Sequence, residues 1–356
     1  VSKTDIENLV VSLPPLAEQH RIVAKVDELM ALCDQLEQQT EASIDAHATL
    51  VETLLTTLTN SADAAELEQN WTRLADHFDT LFTTEQSIDQ LKQTVLQLAV
   101  MGKLVPQDPN DEPAAVLLEK IAAEKTQLIK EKKIKKQKPL PPITEDEKPF
   151  PLPEGWEWSR VGDALLLKNG YAFKSKHFVS DPTQFVLTTP GNFFEAGGFR
   201  SRGDKTRFYD GDVEADFIFK AGDLIIPMTE QAPGLLGSSA FIPDDGKKYI
   251  HNQRLGKLTP YSSKSTSLEF IALFFNSPYL RGELAKSCTG TTVRHTSPDR
   301  IYRVLFPVLP LLEQYCIVAK VDQLMALCDE LKTRLQHAQQ TQLHLADALV
   351  EQALGV

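Results

Sequence analysis

Basic and amide-bearing residues cluster in four short stretches of the sequence between residues 169 and 300. Lysine and arginine neutralise backbone phosphates, and arginine also binds guanine through paired hydrogen bonds. Asparagine, glutamine, serine and threonine reach phosphates or base edges. The pattern therefore predicts contact with a nucleic acid. The predicted phosphate contacts are Lys174, Lys176, Arg200, Arg202, Lys205 and Arg207, and the predicted base readers or loop anchors are Gln231, Arg254, Thr291, Arg294 and His295.

Each stretch taken alone is also typical of a solvated surface loop. The distribution of charge favours the functional interpretation. The chain has a formal net charge of −12, yet residues 150–306 hold 19 Lys and Arg against 17 Asp and Glu. The remaining residues hold 18 against 32. The middle of the chain thus has no acidic excess, and local charge decides whether phosphates can be bound.

Motifs that would indicate an enzyme are missing from the sequence. It contains no GxxxxGK[ST] phosphate loop and no GxGxxG that follows a strand. It also contains no HExxH, and its eight histidines lack the spacing of metal ligands. Neither G-x-S-x-G nor the Asn-Pro-Pro-aromatic motif of amino-methyltransferases occurs. We therefore predict neither catalytic residues nor a metal site.

The four cysteines, Cys33, Cys288, Cys316 and Cys328, form no CxxC pair. This favours reduced, buried thiols in a cytoplasmic protein over a disulfide framework or a zinc site. No apolar run approaches the roughly 18 residues that a membrane-spanning helix needs. We expect no membrane partner.

One stretch of the sequence occurs twice. Residues 18–34 and 313–329 are identical at 14 of 17 positions. Apolar residues recur in both copies at steps of four and three, which predicts a long helix with a coiled-coil seam. Pro14-Pro15 and Pro310 mark the predicted helix starts. The predicted seam residues are Ile22, Val26, Leu29, Cys33 and Leu36 in the first copy, and Ile317, Val321, Leu324, Cys328 and Leu331 in the second.

The rest of the chain divides by composition. Residues 61–149 are predicted to form a helical linker that ends in a Pro-rich connector. Residues 150–307 alternate short β-like runs with Gly and Asp turns, followed by a helical pattern. The predicted fold class is α+β, with one globular domain flanked by two coiled-coil-like helical arms. We name these arm 1, residues 16–60, and arm 2, residues 308–356.

Several motifs together resemble one family. They are LPPLAEQHRIVAKVDELMALCDQLE, LQLAVMGKLVPQDPNDEPAAVLLEKI, PLPEGWEWSRVGD, GYAFKSKHF, AGDLIIPM, NQRLGK and GTTVRHTSPDR, closed by LLEQYCIVAKVDQLMALCDEL. The chain resembles the specificity subunit of a type I restriction–modification system along almost its whole length. In that family two target-recognition domains each read half of a bipartite DNA site. Two long antiparallel helices set the gap between the halves.

The resemblance implies a non-catalytic subunit of a bacterial or archaeal cytoplasmic complex. Its expected partners are double-stranded DNA, modification subunits and a restriction subunit. No cofactor is expected in this chain, since S-adenosylmethionine, ATP and magnesium belong to the partner subunits. Residues 150–307 would be one recognition domain. Residues 1–15 would be the tail of another whose body is missing, so the chain is expected to be a fragment or a half-subunit that forms homodimers.

Two other functions stay open on the residues alone. A structural coiled-coil adaptor whose middle domain binds protein is the main alternative, and its binding would not show the steep salt dependence of phosphate contact. A nuclease or methyltransferase acting by itself is a third, disfavoured by the missing motifs.

Overall fold

The computed structural model of the chain describes residues 12–62, 64–230, 234–290 and 293–354. Contacts divide the chain into two units, residues 1–54 and residues 55–356. The boundary falls within the first long helix, α1 (Leu16–Asn60), which is arm 1. We describe each unit by itself.

In the first unit, α1 begins directly after Pro14-Pro15, as predicted. The amide groups of Glu18 and Gln19 donate to the Pro15 carbonyl at 2.8 and 3.0 Å. The side-chain Nε2 of Gln19 donates to the Pro14 carbonyl at 2.8 Å. These bonds provide partners for groups that a helix start leaves open. The predicted seam residues of arm 1 are all exposed, Ile22 to 50% and Leu29 to 48%. The prediction of buried thiols is wrong for Cys33 of this seam and for Cys316, which are exposed, and holds for Cys328.

The second unit contains nine of the helices in the described part of the chain. They are α2 (Ala64–Ala75), α3 (Phe78–Leu81), α4 (Glu85–Val100), α5 (Ala114–Lys130), α6 (Val161–Ala164), α7 (Leu268–Asn276), α8 (Pro278–Ser287), α9 (Pro298–Arg303) and α10 (Leu311–Leu354), which is arm 2. Ser267 and Ser277 cap α7 and α8 by accepting from the amides of Phe270 and Leu280.

The strands that the structure describes in the second unit form four small sheets. In chain order they are β1 (Glu157–Arg160), β2 (Leu165–Asn169), β3 (Phe178–Val179), β4 (Phe185–Leu187), β5 (Phe208–Tyr209), β6 (Leu224–Pro227), β7 (Thr229–Glu230), β8 (Ala240–Phe241), β9 (Lys248–Ile250), β10 (Leu255–Pro260), β11 (Arg294–His295) and β12 (Leu305–Val308). Two sheets have four strands, in the orders β2-β10-β6-β8 and β3-β5-β4-β9, and the pairs β1-β12 and β7-β11 complete the set. All pairings are antiparallel except β4 with β9.

The largest core of the second unit joins helices to a sheet. Phe270, Phe274 and Phe275 of α7 are fully buried, and the ring of Phe274 meets that of Phe306 edge-on at 4.9 Å. Val95 of α4 and Ile317 of arm 2 belong to the same cluster. The α+β class predicted from the sequence is confirmed.

Arm 2 packs its predicted seam against α4. Ile317, Val321 and Cys328 are buried to within 4% exposure, whereas Leu324 and Leu331 are half-buried. Lys332 binds Glu85 at 3.0 Å and Asp89 at 3.2 Å. Lys92 also pairs with Asp329, so the two helices run antiparallel. The seam of arm 2 therefore packs against a shorter helix of the same unit, α4.

The first turn of arm 2 is bonded to the domain that precedes it. The Glu313 carboxylate accepts from the Trp156 indole at 2.8 Å and from the Gln107 amide at 3.1 Å. Gln314 accepts from the Ser267 amide at 2.8 Å and donates to the Ser265 carbonyl at 3.1 Å. Burial raises the pKa of Glu313 above its usual value.

The Pro-rich connector is also bonded to the domain. Arg160 of β1 is only 4% exposed, and its guanidinium donates to the carbonyls of Pro141 and Pro142 at 2.8 and 3.1 Å. It also binds the Arg303 carbonyl at 2.7 Å and the Glu147 carboxylate at 3.0 Å. An extended segment predicted from composition is thus held at Pro141, Pro142 and Glu147 by one buried side chain.

Candidate nucleic-acid interface

A cleft of about 700 Å³ brings together four of the predicted contact residues from separate loops. The cleft is lined by the loop after β4 and the stretch that follows it, by β7, by Arg254 directly before β10, and by His295 of β11. The residues in question are Arg200, Arg202, Arg254 and His295. Convergent cations in a concave surface attract anionic ligands.

The position of Arg200 is set by a buried asparagine. Asn192 is 4% exposed, and its side chain accepts from the Thr189 amide at 2.9 Å and donates to the Arg200 carbonyl at 3.2 Å. The Arg200 amide donates to the Asn192 carbonyl at 2.7 Å. The guanidinium lies 5.3 Å from the ring centre of Phe194, which is 47% exposed. This cation–π contact orients the charge at the cleft edge.

Arg202 lies against Gly191, a glycine of the same stretch between β4 and β5. A Cβ atom at Gly191 would lie 2.0 Å from the Nη1 of Arg202. Glycine therefore lets the guanidinium lie directly on the backbone, the kind of close approach for which this residue is used. Any side chain at residue 191 would push Arg202 away.

Arg254 is held by its backbone while its side chain faces the cleft. Its amide donates to the Asn252 side chain at 3.0 Å, and its carbonyl accepts from the Met228 amide at 2.8 Å. Asn252 is 6% exposed. It therefore acts as a structural group that ties down the loop.

His251 supports the same loop from its buried side. It is 1% exposed, its Nε2 lies 3.1 Å from the Leu255 carbonyl, and its ring packs 4.6 Å from that of Phe219. Burial, helped by the charges of Lys168 and Lys257, lowers the pKa of His251 to about 4. The imidazole is therefore neutral at pH 7 and donates its proton to the carbonyl.

Arg294 lies at the back of the cleft and is bound to a buried carboxylate. Its Nε donates to Glu230 Oε1 at 2.6 Å, and its Nη2 contacts the same oxygen. Glu230 is 2% exposed, and its Oε2 accepts from the amides of Leu235 and Leu236, both at 2.8 Å. Of the two roles predicted for Arg294, this geometry favours the loop anchor.

His295 follows Arg294 and lines the cleft itself. Its backbone exchanges two hydrogen bonds with Thr289, at 2.8 and 3.1 Å, so the strand is held while the ring stays exposed. Arg300 donates to the Thr289 hydroxyl at 3.1 Å and supports the same turn.

Arg281 of α8 was not among the predicted residues, although it binds backbone groups of two segments that border the cleft. Its guanidinium donates to the carbonyls of Glu195 and Gly234 and to the Asn276 side chain at 3.2 Å. Burial lowers the pKa of Arg281 to about 10. No sequence motif marks it, because two of its partners are backbone carbonyls on distant segments and the third is the side chain of Asn276, five residues away.

The other predicted basic residues lie outside the lining of the cleft. Lys174 directly precedes the turn Ser175–His177 before β3, and Lys176 lies within it. Lys205 ends the turn Gly203–Lys205 before β5. Arg207 donates to the Ser180 hydroxyl at 2.6 Å. All four are exposed. These four residues lie near β3 and β5 of the second four-stranded sheet, and we call them the second basic group.

Two predicted contacts, Gln231 and Thr291, lie outside the described residues. In the part of the chain that is described, no group of three His, Cys, Asp or Glu side chains is arranged to hold a metal ion. None of the described helices combines the length and apolar character needed to cross a membrane.

The chain is similar to known proteins over nearly its full length. It is 46% identical to the type I restriction enzyme EcoAI specificity subunit of Escherichia coli, over 98% of this chain and 59% of that protein. It is 42% identical to the EcoEI specificity subunit of the same species, over 100% of this chain and 60% of that protein. The chain thus spans about three fifths of the length of these relatives.

A solved structure shares the fold. A chain from a study of complex assembly and conformational transition of the type I R-M system superposes with a TM-score of 0.53, at 19% identity, over 99% of this chain and 63% of that chain. The family profile described as type I restriction modification DNA specificity domain matches residues 1–46 and 153–338. With the profile covering most of the sequence and two relatives above 40% identity, the chain belongs to the type I restriction modification DNA specificity domain family.

Proposed function

We propose that this chain is the non-catalytic DNA-recognition subunit of a type I restriction–modification complex. It reads one half of a bipartite target and scaffolds the modification and restriction subunits. One observation carries the proposal: Arg200, Arg202, Arg254 and His295 converge on a single cleft of a domain that belongs to a DNA specificity family. The names of the two similar specificity subunits support it.

Within this proposal the two basic groups have different roles. Arg254 and His295 have held backbones and side chains directed to the cleft, which suits reading of base edges. Lys174, Lys176, Lys205 and Arg207 are exposed on a neighbouring surface, which suits phosphate contacts that set register. Arg200 and Arg202 lie at the cleft edge and serve as phosphate contacts there. Gln231 and Thr291 remain candidates from sequence.

The partners follow from the same proposal. Double-stranded DNA is the ligand, and modification and restriction subunits carry the chemistry with S-adenosylmethionine, ATP and magnesium. The chain supplies one recognition domain, so a two-part target requires a second domain. A homodimer of half-subunits would supply it with two-fold symmetry and would read a palindromic site.

Selection from random duplex DNA, with the chain bound to its modification subunit, tests the proposal. A palindromic motif split by a fixed gap is the outcome for two assembled copies, and a single unsplit half-site is the outcome for one domain. Absence of enrichment at low salt, with the subunit demonstrably bound, would overturn DNA recognition. It would favour the adaptor, which no feature of the cleft supports.

A further inference from the structure

The end of α5 and the residues that follow it carry a dense cluster of positive charge. The stretch KEKKIKKQK, residues 130–138, holds six lysines and one glutamate, a formal charge of +5 in a chain of net charge −12. We name this stretch the Lys loop. None of its lysines lines the cleft or belongs to the second basic group, and all six are exposed. Like charges at this density repel one another, and a bound polyanion relieves that repulsion. The six are Lys130, Lys132, Lys133, Lys135, Lys136 and Lys138.

Most of these lysines have no carboxylate partner within the described residues. The exception is Lys133, which pairs with Glu131 at 2.8 Å, a contact that raises the pKa of Lys133. Lys125, one turn before the Lys loop, instead pairs with Asp163 at 3.2 Å. Five lysines of the Lys loop are therefore available to an external anion.

The backbone of the Lys loop is held in a defined turn. The amides of Lys133 and Ile134 both donate to the Leu128 carbonyl, at 3.0 and 3.4 Å, and close the end of α5. This closure places Lys132 at a φ of 56°, and Lys132 is the one non-glycine residue with a positive φ in the described part of the chain. Glycine adopts this conformation without strain, whereas lysine adopts it at a cost in energy. A charge is thus kept where the backbone favours glycine, which is typical of a functional constraint.

Tyr261 ties the Lys loop to the rest of the domain. Gln137 of the loop donates to the Tyr261 hydroxyl at 3.0 Å, and Ile134 is half-buried. Upstream, Lys125 donates to the Gly162 carbonyl at 2.8 Å, and its Nζ lies 5.0 Å from the centre of the Tyr261 ring. The charges are therefore presented from a held backbone, which reduces the entropy lost when a ligand orders them.

The same tyrosine relates the Lys loop to the cleft. Tyr261 directly follows β10, and Arg254 of the cleft directly precedes that strand. The strand between them has six residues. At about 3.3 Å per residue it separates the two sites by about 20 Å, the length of about six base pairs of duplex DNA. A duplex whose bases are read in the cleft therefore has phosphates at the distance of the Lys loop.

The composition of the Lys loop indicates the class of ligand. Lysine binds phosphate as a point charge, without the fixed geometry that arginine requires. The loop has no arginine and no aromatic residue, which are the types that dominate protein–protein interfaces, and lysine is depleted in such interfaces. It also offers no ring on which the bases of a single strand could stack. The backbone of duplex DNA is therefore the ligand that this surface fits best.

We propose that the Lys loop is a second DNA-binding site, which binds backbone phosphates about six base pairs away from the bases read in the cleft. Its contacts are electrostatic, so they add affinity and leave the recognised bases unchanged. The proposal rests on the proposed function, because the ligand is the DNA that the cleft reads. It adds to that function a contact with DNA whose bases are not read.

Neutralised phosphates test the proposal. The full chain, bound to its modification subunit, is titrated with duplexes of the selected motif in which a short block of phosphates is replaced by uncharged methylphosphonates. The block is moved in steps across the motif and its surroundings. The Lys-loop variant combines Lys132→Gln, Lys133→Gln, Lys135→Gln and Lys136→Gln. The matched control removes the same charge from four exposed lysines elsewhere, by Lys220→Gln, Lys247→Gln, Lys248→Gln and Lys286→Gln.

We expect one block, about six base pairs from the bases that are read, to weaken binding of the original chain and of the control on the order of tenfold. The same block should change binding of the Lys-loop variant by less than about twofold, because those phosphates have already lost their partners. On the unmodified duplex the salt slope of the variant should fall by about three to four, near 0.9 for each lost contact.

Equal responses of the original chain and the Lys-loop variant to every block would overturn the proposal. So would unchanged DNA binding together with loss of the modification subunit from the variant, because the ligand of the Lys loop would then be a protein. Loss of all preference for the selected motif in the original chain overturns DNA recognition itself. A preserved preference with no block that depends on the Lys loop overturns this site alone.

Lys132 separates charge from backbone strain. Lys132→Gly relieves the left-handed backbone and should keep or raise the thermal midpoint of unfolding. It should nevertheless weaken DNA binding by about threefold, through the loss of one phosphate contact. Lys132→Arg keeps the charge and should bind as the original chain does. Equal DNA binding by the two variants would contradict the proposal at its most constrained residue.

Discussion

Glu230 and Arg294 face each other across the two-stranded ribbon β7-β11, and their side chains form a salt bridge at the back of the cleft. The carboxylate also holds the amides of Leu235 and Leu236. One buried group thus joins three backbone segments that border the cleft. Removal of this carboxylate should therefore change the shape of the cleft, even though Glu230 itself is almost fully buried.

We expect Glu230→Gln to lower the free energy of unfolding by about 2 kcal/mol, the usual loss for buried hydrogen bonds to a charged group. It should also reduce sequence-specific DNA binding more than nonspecific binding, because the loops lose their relative positions. Urea unfolding and competition binding measure the two effects. Glu195→Gln, on the exposed rim of the same cleft, is the control, and equal effects of the two variants would contradict the anchor role.

The two basic groups should respond differently to substitution. Arg254→Ala should cost about 1–3 kcal/mol of specific binding and relax the preference at one base position. Lys176→Ala should weaken all sequences alike and reduce the salt slope of binding by about one. Binding to a selected site and to its single-base variants, across a salt series, separates the two. Identical profiles for both variants would refute the assignment of roles.

His251 predicts a dependence of stability on pH. Its pKa is about 4 in the folded protein, below its usual value of 6.5. Between pH 6.5 and pH 4 the unfolded chain binds a proton at His251 and the folded protein does not. The free energy of unfolding therefore has its full value above pH 6.5 and falls by about 3 kcal/mol as the pH falls from 6.5 to 4. His251→Gln keeps a donor for the Leu255 carbonyl. In this variant the urea concentration at the midpoint of unfolding should change less between pH 6.5 and pH 4. The exposed His337→Gln should leave the pH profile as in the original chain.

The repeated arms provide a matched pair of core substitutions. Ile317→Ala should destabilise the protein by about 2–4 kcal/mol, because it opens a cavity against α4. Ile22→Ala changes the same residue of the repeat at 50% exposure and should stay within about 0.5 kcal/mol. Thermal unfolding compares them. A large loss in Ile22→Ala would show that its face is already packed in the isolated chain.

Arm length should control the spacing of the target and not its bases. Insertion of one heptad after Gln340, in the exposed half of arm 2, lengthens the helix by about 10 Å and keeps its apolar face in phase. The selected DNA motif should keep its bases and gain a wider gap. Altered bases with an unchanged gap would contradict the spacer role of the arm.

The sequence predicted the elements of this protein better than their partners. Heptad spacing and the prolines predicted both long helices, which begin at Leu16 and Leu311, one residue after Pro15 and Pro310. The same spacing could not show that the seam of arm 2 packs against α4, because a 4-3 pattern describes a face and not what covers it.

The contact residues show the same division. Composition pointed to Arg200, Arg202, Arg254 and His295, and the fold brings them to one cleft. The pairing of Arg294 with Glu230 joins residues 64 positions apart, a separation that no local pattern encodes. Arg281 was missed for the same reason, since it binds backbone carbonyls that carry no sequence signature.

The buried Arg160 has a consequence for how the proposed recognition domain, residues 150–307, can be exchanged between relatives. Composition places a boundary in the Pro-rich connector, where a recombination joint would appear harmless. A joint there would separate Arg160 from the carbonyls of Pro141 and Pro142, and a joint just before arm 2 would separate Trp156 from Glu313. A working chimera therefore inherits the recognition domain as a cassette that begins ahead of Pro141 and continues past the first turn of arm 2.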